Sequence, residues 1–532
     1  MASPPSTPPR AAPQRAWSAA CPNCGAPVDF ASAASPIAVC SYCRSTLARD
    51  GQALRRIGQS AELFDDHSPL QLGAAGRWQG AVFTLVGRLQ MAYAQGSWNE
   101  WHVLFDSGKG GWLSEDNGRY VMAFDASAPP GLPRADDLQP GAAVQVAGQA
   151  WQVASITAAR IAAAQGELPY APDLSNEFTL VDLRNRQGEV GTIDYGDPAQ
   201  PRWSIGRGAA LIDLALTGLR DAADKTLSAR GVECPSCGTA LEIKLSTTQS
   251  ITCHQCHAVV DVSKGVGGDL AHFEQDNPQV DGGQPQLPLG TTATLALGGP
   301  PQSWQVVGYV ERCELAETAD DEQVFWREYL LYSRAVGFAF IVDAEDGWSW
   351  AAPITGAPQL KGDNALWNGT TYRKLYSYTG QIVYVLGEFY WKLERGERTV
   401  NTDYASGTKR LNREQAGREV TWSAGETMDA ATIAAAFRLP PDRTAALKRD
   451  ASTLSSSSIG SMLSSNLIVV IAAIGLLISL LSTCSRNNCD DIRDTWGANS
   501  PEHQQCLRSG GSSYRTSGGS YGGFGSGGGG HK

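Results

Sequence analysis

Along most of the chain, apolar and polar residues alternate in short runs separated by Gly-marked turns, the period of half-buried β-strands. Gly73 and Gly80 precede Phe83-Thr-Leu-Val86, Gly141 and Gly148 precede Trp151-Gln-Val153, and Gly290 and Gly298 precede Trp304-Gln-Val-Val307. Each stretch predicts a strand, a turn that needs positive φ, and a second strand of alternating character, which is how hairpins are written in sequence. A second repeated element is Trp98-Asn-Glu100-Trp101 against Trp326-Arg-Glu328-Tyr329. In a strand, the Trp and the Glu two residues on share one face, and the second aromatic points to the other. A Glu so placed is expected to be a solvated or salt-bridged surface charge, with a ligand contact as the alternative. Gly111-Trp-Leu and Asp116-Asn-Gly118 align in turn with Phe340-Ile-Val and Asp346-Gly347-Trp348.

One run breaks the alternation. Leu467 to Leu481 is apolar or small throughout, and Met462 to Cys484 contains no charge. At about 1.5 Å per residue, roughly 20 helical residues cross a hydrocarbon core of about 30 Å, so a transmembrane α-helix is predicted over 462–484. Arg443, Lys448 and Arg449 precede it, and Arg486 and Arg493 follow. That small excess places the N-terminal bulk in the cytoplasm and the tail outside. Met1 to Trp17 is rich in Pro, Ala and Ser and lacks an apolar stretch, so no secretory signal is expected there. In the tail, Cys489 and Cys506 are a candidate disulfide for an oxidising compartment, and the Gly/Ser/Tyr ending is expected to be disordered.

Eight of the twelve cysteines fall into four C-x-x-C pairs. Fifteen residues separate Cys21-x-x-Cys24 from Cys40-x-x-Cys43, and fifteen separate Cys234-x-x-Cys237 from Cys253-x-x-Cys256. A C-x-x-C knuckle presents two thiolates to one point, and an intervening hairpin returns the second pair to complete a tetrahedron. Pro22, Gly25, Pro235 and Gly238 suit the knuckle turns. The pattern predicts two zinc ribbons with two Zn²⁺, iron in the same cage being the competitor. A redox role fits less well, because a thioredoxin-type motif stands alone at a helix start. Cys253-His-Gln-Cys256-His257 also matches the haem-attachment pattern. Attachment requires export, however, and the sister knuckle Cys40-Ser-Tyr-Cys43-Arg44 lacks the His. His254 and His257 are therefore read as bystanders. A four-thiolate cage leaves no open position for a catalytic water, and no H-E-x-x-H, P-loop or nucleophile elbow stands out.

Charge and length narrow the classes. A net charge of −11 without a basic block weighs against binding to a phosphate backbone. Fifteen Trp and sixteen Tyr against five Met suit sheets better than helical bundles. At 532 residues the chain exceeds what one core supports, so several domains are expected.

With these elements in place, the strand-rich segments at about 68–215 and 285–440 resemble the bacterial domain-of-unknown-function 4178 family. The resemblance is carried by the Gly-then-Trp-x-Val hairpin, the Trp-x-Glu-aromatic strand, and Glu388-Phe389-Tyr390-Trp391-Lys392 with Asp403-Tyr404. Glu177-Phe178 and Asp194-Tyr195 are the matches expected in the first copy, with Thr179-Leu180-Val181 where the second copy is aromatic. The resemblance covers more than half of the chain. It implies no activity, and it implies an association with membrane and envelope stress.

The expected architecture is mainly β, with two zinc ribbons, two barrel- or sandwich-like β-rich domains and one transmembrane α-helix. Along the chain this reads as a disordered lead (1–15), ribbon (16–56), β-rich domain (60–229), ribbon (230–266), linker (267–284), β-rich domain (285–440), linker (441–461), transmembrane helix (462–484) and disordered tail (485–532). The expected function is a membrane-anchored, zinc-binding binding or scaffold module of the bacterial inner membrane, with protein partners and no enzymatic activity. Trp98, Glu100, Trp326, Glu328, Glu388 and Asp403 are its candidate ligand or partner contacts. The alternatives are a nucleic-acid-binding ribbon protein and an enzyme with its site near Glu388 and Asp403.

Overall fold

Strand follows strand in the order that the alternation predicts. The computed structural model describes residues 17–447, apart from 32–34, 51–52, 61–67, 95, 117–118, 221–231, 246–247, 263–269, 276–277, 279–283 and 316–323. The lead, the predicted membrane helix, and the tail with Cys489 and Cys506 lie outside the described residues. Among the described residues, no helix is long and apolar enough to cross a membrane.

In the first strand-rich segment, Ala81–Tyr93, Gly96–Phe105, Gly110–Asp116 and Arg119–Ala126 pair in sequence as one antiparallel meander. Gln149–Leu168, Glu177–Arg184, Glu189–Asp194 and Arg202–Ala209 form a second. Arg119–Ala126 pairs with Arg202–Ala209, and Ala81–Tyr93 pairs with Gln149–Leu168, so the two meanders close into an eight-stranded barrel. The second segment repeats this arrangement. Its meanders are Gln302–Glu314, Phe325–Ser333, Gly337–Ala344, Gly347–Pro353 and Thr370–Phe389, Arg398–Ser406, Lys409–Ala416, Glu419–Met428. Gly347–Pro353 with Glu419–Met428, and Gln302–Glu314 with Thr370–Phe389, close the second barrel. Closure leaves neither sheet with a free edge of its own.

Two glycine pairs make closure possible. At Gly166 (φ +71°) and Gly387 (φ +93°) the longest strand of each barrel crosses its partner. A Cβ there would sit 2.3 Å from Val86 O in one barrel and 2.3 Å from Val307 O in the other. Gly87 and Gly308 are the register partners of these two residues, so close backbone approach is needed on both sides.

Both faces of the barrel strands are covered. Arg312, on Gln302–Glu314, contacts Thr399 and Glu414, two and three strands away, so its face points into the barrel. The same inward face carries Trp326, Phe340, Val342 and Tyr378 in the second barrel, and Leu89, Met91, Trp98 and Ile161 in the first. Outward, Phe83, Leu85, Trp101 and Val103 lie beneath Leu70 and Leu214. Tyr309, Tyr329 and Ile341 lie beneath Leu287 and the helix Ala430–Ala436, through Ile433. The barrels meet where Ser155 bridges Glu419 and the Trp422 indole donates to Gln152 at 2.8 Å.

Candidate metal centres

Each ribbon is built from two C-x-x-C turns with the same backbone logic. Gly25 N–H bonds Cys21 O, Arg44 N–H bonds Cys40 O, Gly238 N–H bonds Cys234 O and His257 N–H bonds Cys253 O, all between 2.8 and 2.9 Å. All four residues following the second cysteine have positive φ, from +57° at Arg44 to +77° at Gly25. Gly suits two of these positions, whereas Arg44 and His257 hold theirs against the usual preference of side-chain-bearing residues. The turns bring Sγ of Cys21 to 3.6 Å from Cys43 and Sγ of Cys24 to 3.7 Å from Cys40. The second cluster repeats this with 3.6 Å for Cys234–Cys256 and 3.7 Å for Cys237–Cys253. Metal–sulfur bonds of about 2.3 Å in a tetrahedron require sulfurs about 3.8 Å apart, so both clusters have the size of a four-thiolate cage. Among the described residues, these are the two groups of three or more His, Cys, Asp or Glu whose ligand atoms all lie within 4.8 Å of one another.

One thiol of each cluster is drawn towards the thiolate, while burial and the neighbouring thiols push another, Cys24 in the first and Cys234 in the second, up to about 12. Hydrogen bonds from Asn23 and Ser45 pull Cys43 down to about 5, and those from Thr239 pull Cys237 down to about 6. A thiolate is the form that ligates. Around the sulfurs the cores are small: Val28, Phe30 and Leu47 in the first ribbon, and Leu241, Ile251 and Val260 in the second. His254 is exposed. His257 is more than a bystander, since its Nδ1 lies 3.3 Å from the Tyr384 hydroxyl of the second barrel.

Each ribbon docks on its barrel in the same way. Ala38 pairs with Glu167 at the end of one long strand, and Ile251 pairs with Glu388 at the end of the other. The Glu167 carboxylate accepts the Ala31 amide. The Glu388 carboxylate accepts the Lys244 amide at 3.0 Å, the Leu245 amide at 3.0 Å and the Thr248 hydroxyl at 2.6 Å. Glu388 is thus a clamp between ribbon and barrel. Glu388→Gln is expected to cost about 1.5–3 kcal/mol, the range for hydrogen bonds to a charged group. Urea unfolding and faster amide exchange at Lys244 and Leu245 would register it, and unchanged exchange would contradict the clamp.

The other acidic candidates are interior residues. Trp98 Nε1 donates to Glu100 at 2.9 Å and Trp326 Nε1 to Glu328 at 2.8 Å, so Trp and Glu share a face as the alternation predicts. The expected surface exposure is corrected: Glu100 is 9% exposed and Glu328 is 0% exposed. The reason is that this face lines the barrel interior. Glu328 pairs there with Arg312 at 3.1 Å. Asp403 is buried and accepts from Asn412 at 2.7 Å. Its equivalent in the first barrel is Asp182, which accepts from Thr192 at 2.7 Å, and the equivalent of Glu388 is Glu167. The expected matches Glu177 and Asp194 are therefore corrected. Glu177 is exposed opposite Arg160, and Asp194 pairs with the exposed Arg202 at 2.5 Å.

No curated protein and no solved structure matches the chain. A family model described as "Domain of unknown function (DUF4178)" matches residues 71–209 and 301–430, together just over half of the 532 residues and falling on the two barrels. The chain therefore belongs to the DUF4178 family and carries the domain twice, with a four-cysteine cluster before each copy.

Proposed function

We propose that each cysteine cluster holds one Zn²⁺ and that the protein is a membrane-anchored binding or scaffold module of the bacterial inner membrane. The observation that carries the metal reading is the sulfur spacing of 3.6–3.7 Å, found twice with the same knuckle geometry. Four thiolates close the coordination sphere, which favours a structural ion over a catalytic one. The docked ribbons would then fix the ends of the barrels and so shape the surface offered to protein partners. The uncharged stretch Met462 to Cys484 supports the anchor, with the ribbons and barrels on the cytoplasmic side. An association with envelope stress rests on the family resemblance.

Elemental analysis of the purified chain under reducing conditions is expected to find about two zinc ions per chain. Iron in their place would change the metal, and no metal in a metal-replete preparation would remove the reading. Truncation before Ser465 is expected to move the chain from the membrane pellet to the supernatant. A full-length chain that is itself soluble would end the anchor proposal.

A further inference from the structure

The second barrel holds a charge cluster that the first barrel does without. Arg312 is 0% exposed; its Nε donates to Glu328 at 3.1 Å, and its Nη1 lies 3.4 Å from the Thr399 hydroxyl and 4.0 Å from Glu414. Glu397 acts on the same guanidinium electrostatically. Burial pushes the carboxyls of Glu328 and Glu397 each up to about 7, against the pull of Arg312. Arg312 faces Trp326 in register, whereas the first barrel has Met91 facing Trp98. Thr399 and Asn401 face Gly380 and Tyr378, whereas the first barrel has Phe178 and Leu180 facing Ala159 and Thr157. The fold therefore closes with apolar residues at these positions. Charges there carry a desolvation cost that apolar packing avoids.

The surplus chemistry has a sign. One guanidinium stands among three carboxylates. Both Glu397 oxygens and the Asn401 Oδ1, all acceptors, find no hydrogen-bond partner among the described residues. Arg312 Nη2 is a donor left over beside them, and Asn401, like Arg312, is 0% exposed. Trp326 and Tyr378 meet edge to face at 5.6 Å next to these groups. Gly380 admits both the Trp326 ring and the Asn401 amide, each 3.1 Å from where a Cβ would stand. A carboxylate metal cage does not form here, since among the described residues only the two cysteine clusters bring three ligand atoms close enough. Surplus acceptors, net negative charge and aromatic walls are the recognition chemistry of an ammonium group.

We propose that the interior of the second barrel binds a small organic ammonium ion through Glu397 and Asn401, beside the rings of Trp326 and Tyr378. Arg312 Nη2 is placed to take a carboxylate or hydroxyl of the same ligand. A cavity of about 120 Å³ between the second ribbon and the barrel, lined by Phe273, Gln275, Ile382 and Gly396, comes within one residue of Glu397 along the chain, but Glu397, Asn401, Trp326 and Tyr378 do not line it. The first barrel, with Met91, Phe178 and Leu180 in these places, has no counterpart of the site. The proposal is independent of the metal in the ribbons.

The test titrates the metal-loaded full-length chain with n-butylammonium and butane-1,4-diammonium chlorides, and with sodium butyrate as the anionic control, followed by calorimetry and tryptophan fluorescence. Saturable binding of an ammonium probe and none of butyrate is expected. Glu397→Gln is expected to weaken that binding by at least about tenfold, a loss within the range of one charge-assisted contact. Its thermal midpoint should be unchanged or higher, because a carboxylate without a hydrogen-bond partner is removed. Asn401→Leu, which copies Leu180 of the first barrel, is expected to lose affinity likewise. A cooperatively melting wild-type chain that binds neither ammonium probe would overturn the proposal. So would binding of butyrate instead, or unchanged affinity in both variants.

Discussion

Replacing Cys237 with serine is expected to unfold the second ribbon and loosen one rim of the second barrel, while the first ribbon and barrel keep their protection. The ribbon's own core is a handful of residues around Leu241, Ile251 and Val260, too small to hold a fold alone. Structural zinc contributes an apparent binding free energy of about 10–16 kcal/mol, comparable with the whole stability of a domain. The rim is involved because Leu245 and Val259 belong to the same buried cluster as Val385, Phe389 and Trp391 of the barrel. Ser250 and Ile251 also pair with Phe389 and Glu388. Hydrogen exchange read by mass spectrometry should show protection lost over 232–262 and reduced around 382–393, with 81–209 unaffected. A ribbon that stays protected without Cys237 would mean that the sulfur cage does not hold it.

The second large effect is Arg312→Met, expected to cost about 3–5 kcal/mol at pH 8, the range for breaking a buried ion pair by removing one partner. Methionine is the informative choice because Met91 fills the equivalent place in the first barrel, so volume is not the main change. The penalty should shrink at lower pH. Glu328 and Glu397 have folded-state pKa values raised from 4.5 to about 7, so between those values the folded chain binds more protons than the unfolded one. Their contribution is therefore fully present below pH 4.5 and is lost as pH rises through about 7, so stability falls across that window. Removing Arg312 takes away the charge that holds both carboxyls down, which widens the window and enlarges the loss at high pH. Urea unfolding at pH 5.5 and pH 8 would show it. An equal cost at both pH values would mean that the carboxylates around Arg312 are not the reason for the destabilisation.

Local chemistry was readable from the sequence where it is set by neighbours along the chain. The C-x-x-C spacing placed all eight clustered sulfurs, and the Gly-marked hairpins and the shared Trp/Glu face follow from turn and strand geometry alone. Burial of Glu328 was not readable, because strand alternation says which residues share a face but not that both faces are covered. Barrel closure itself depends on pairing between Ala81–Tyr93 and Gln149–Leu168, some seventy residues apart, which leaves no local signature.

Register was the other loss. The first copy has Leu168 where the second has Phe389, so matching the dipeptide Glu-Phe picked Glu177 over Glu167, although the bulges between Val153 and Ser155 and between Lys374 and Tyr376 fall at equivalent places. A constant offset would have found the pair: Gly87 and Gly308, Gly166 and Gly387, Glu167 and Glu388, and Asp182 and Asp403 keep the same separation in sequence. The alignment of Gly111-Trp-Leu with Phe340-Ile-Val is off by one, since Leu113 faces Trp101 as Ile341 faces Tyr329. A slip of one residue exchanges the faces of a strand.

The central claim, two equal four-thiolate centres, is tested most directly by cobalt(II) titration of the metal-stripped, reduced chain followed by visible absorption. Cobalt reports geometry as well as number. The account predicts two equivalents taken up, each producing the intense ligand-field bands of tetrahedral cobalt with thiolate charge transfer, both displaced by zinc. The weak bands of six-coordinate cobalt, or an endpoint at one equivalent or none, would contradict it.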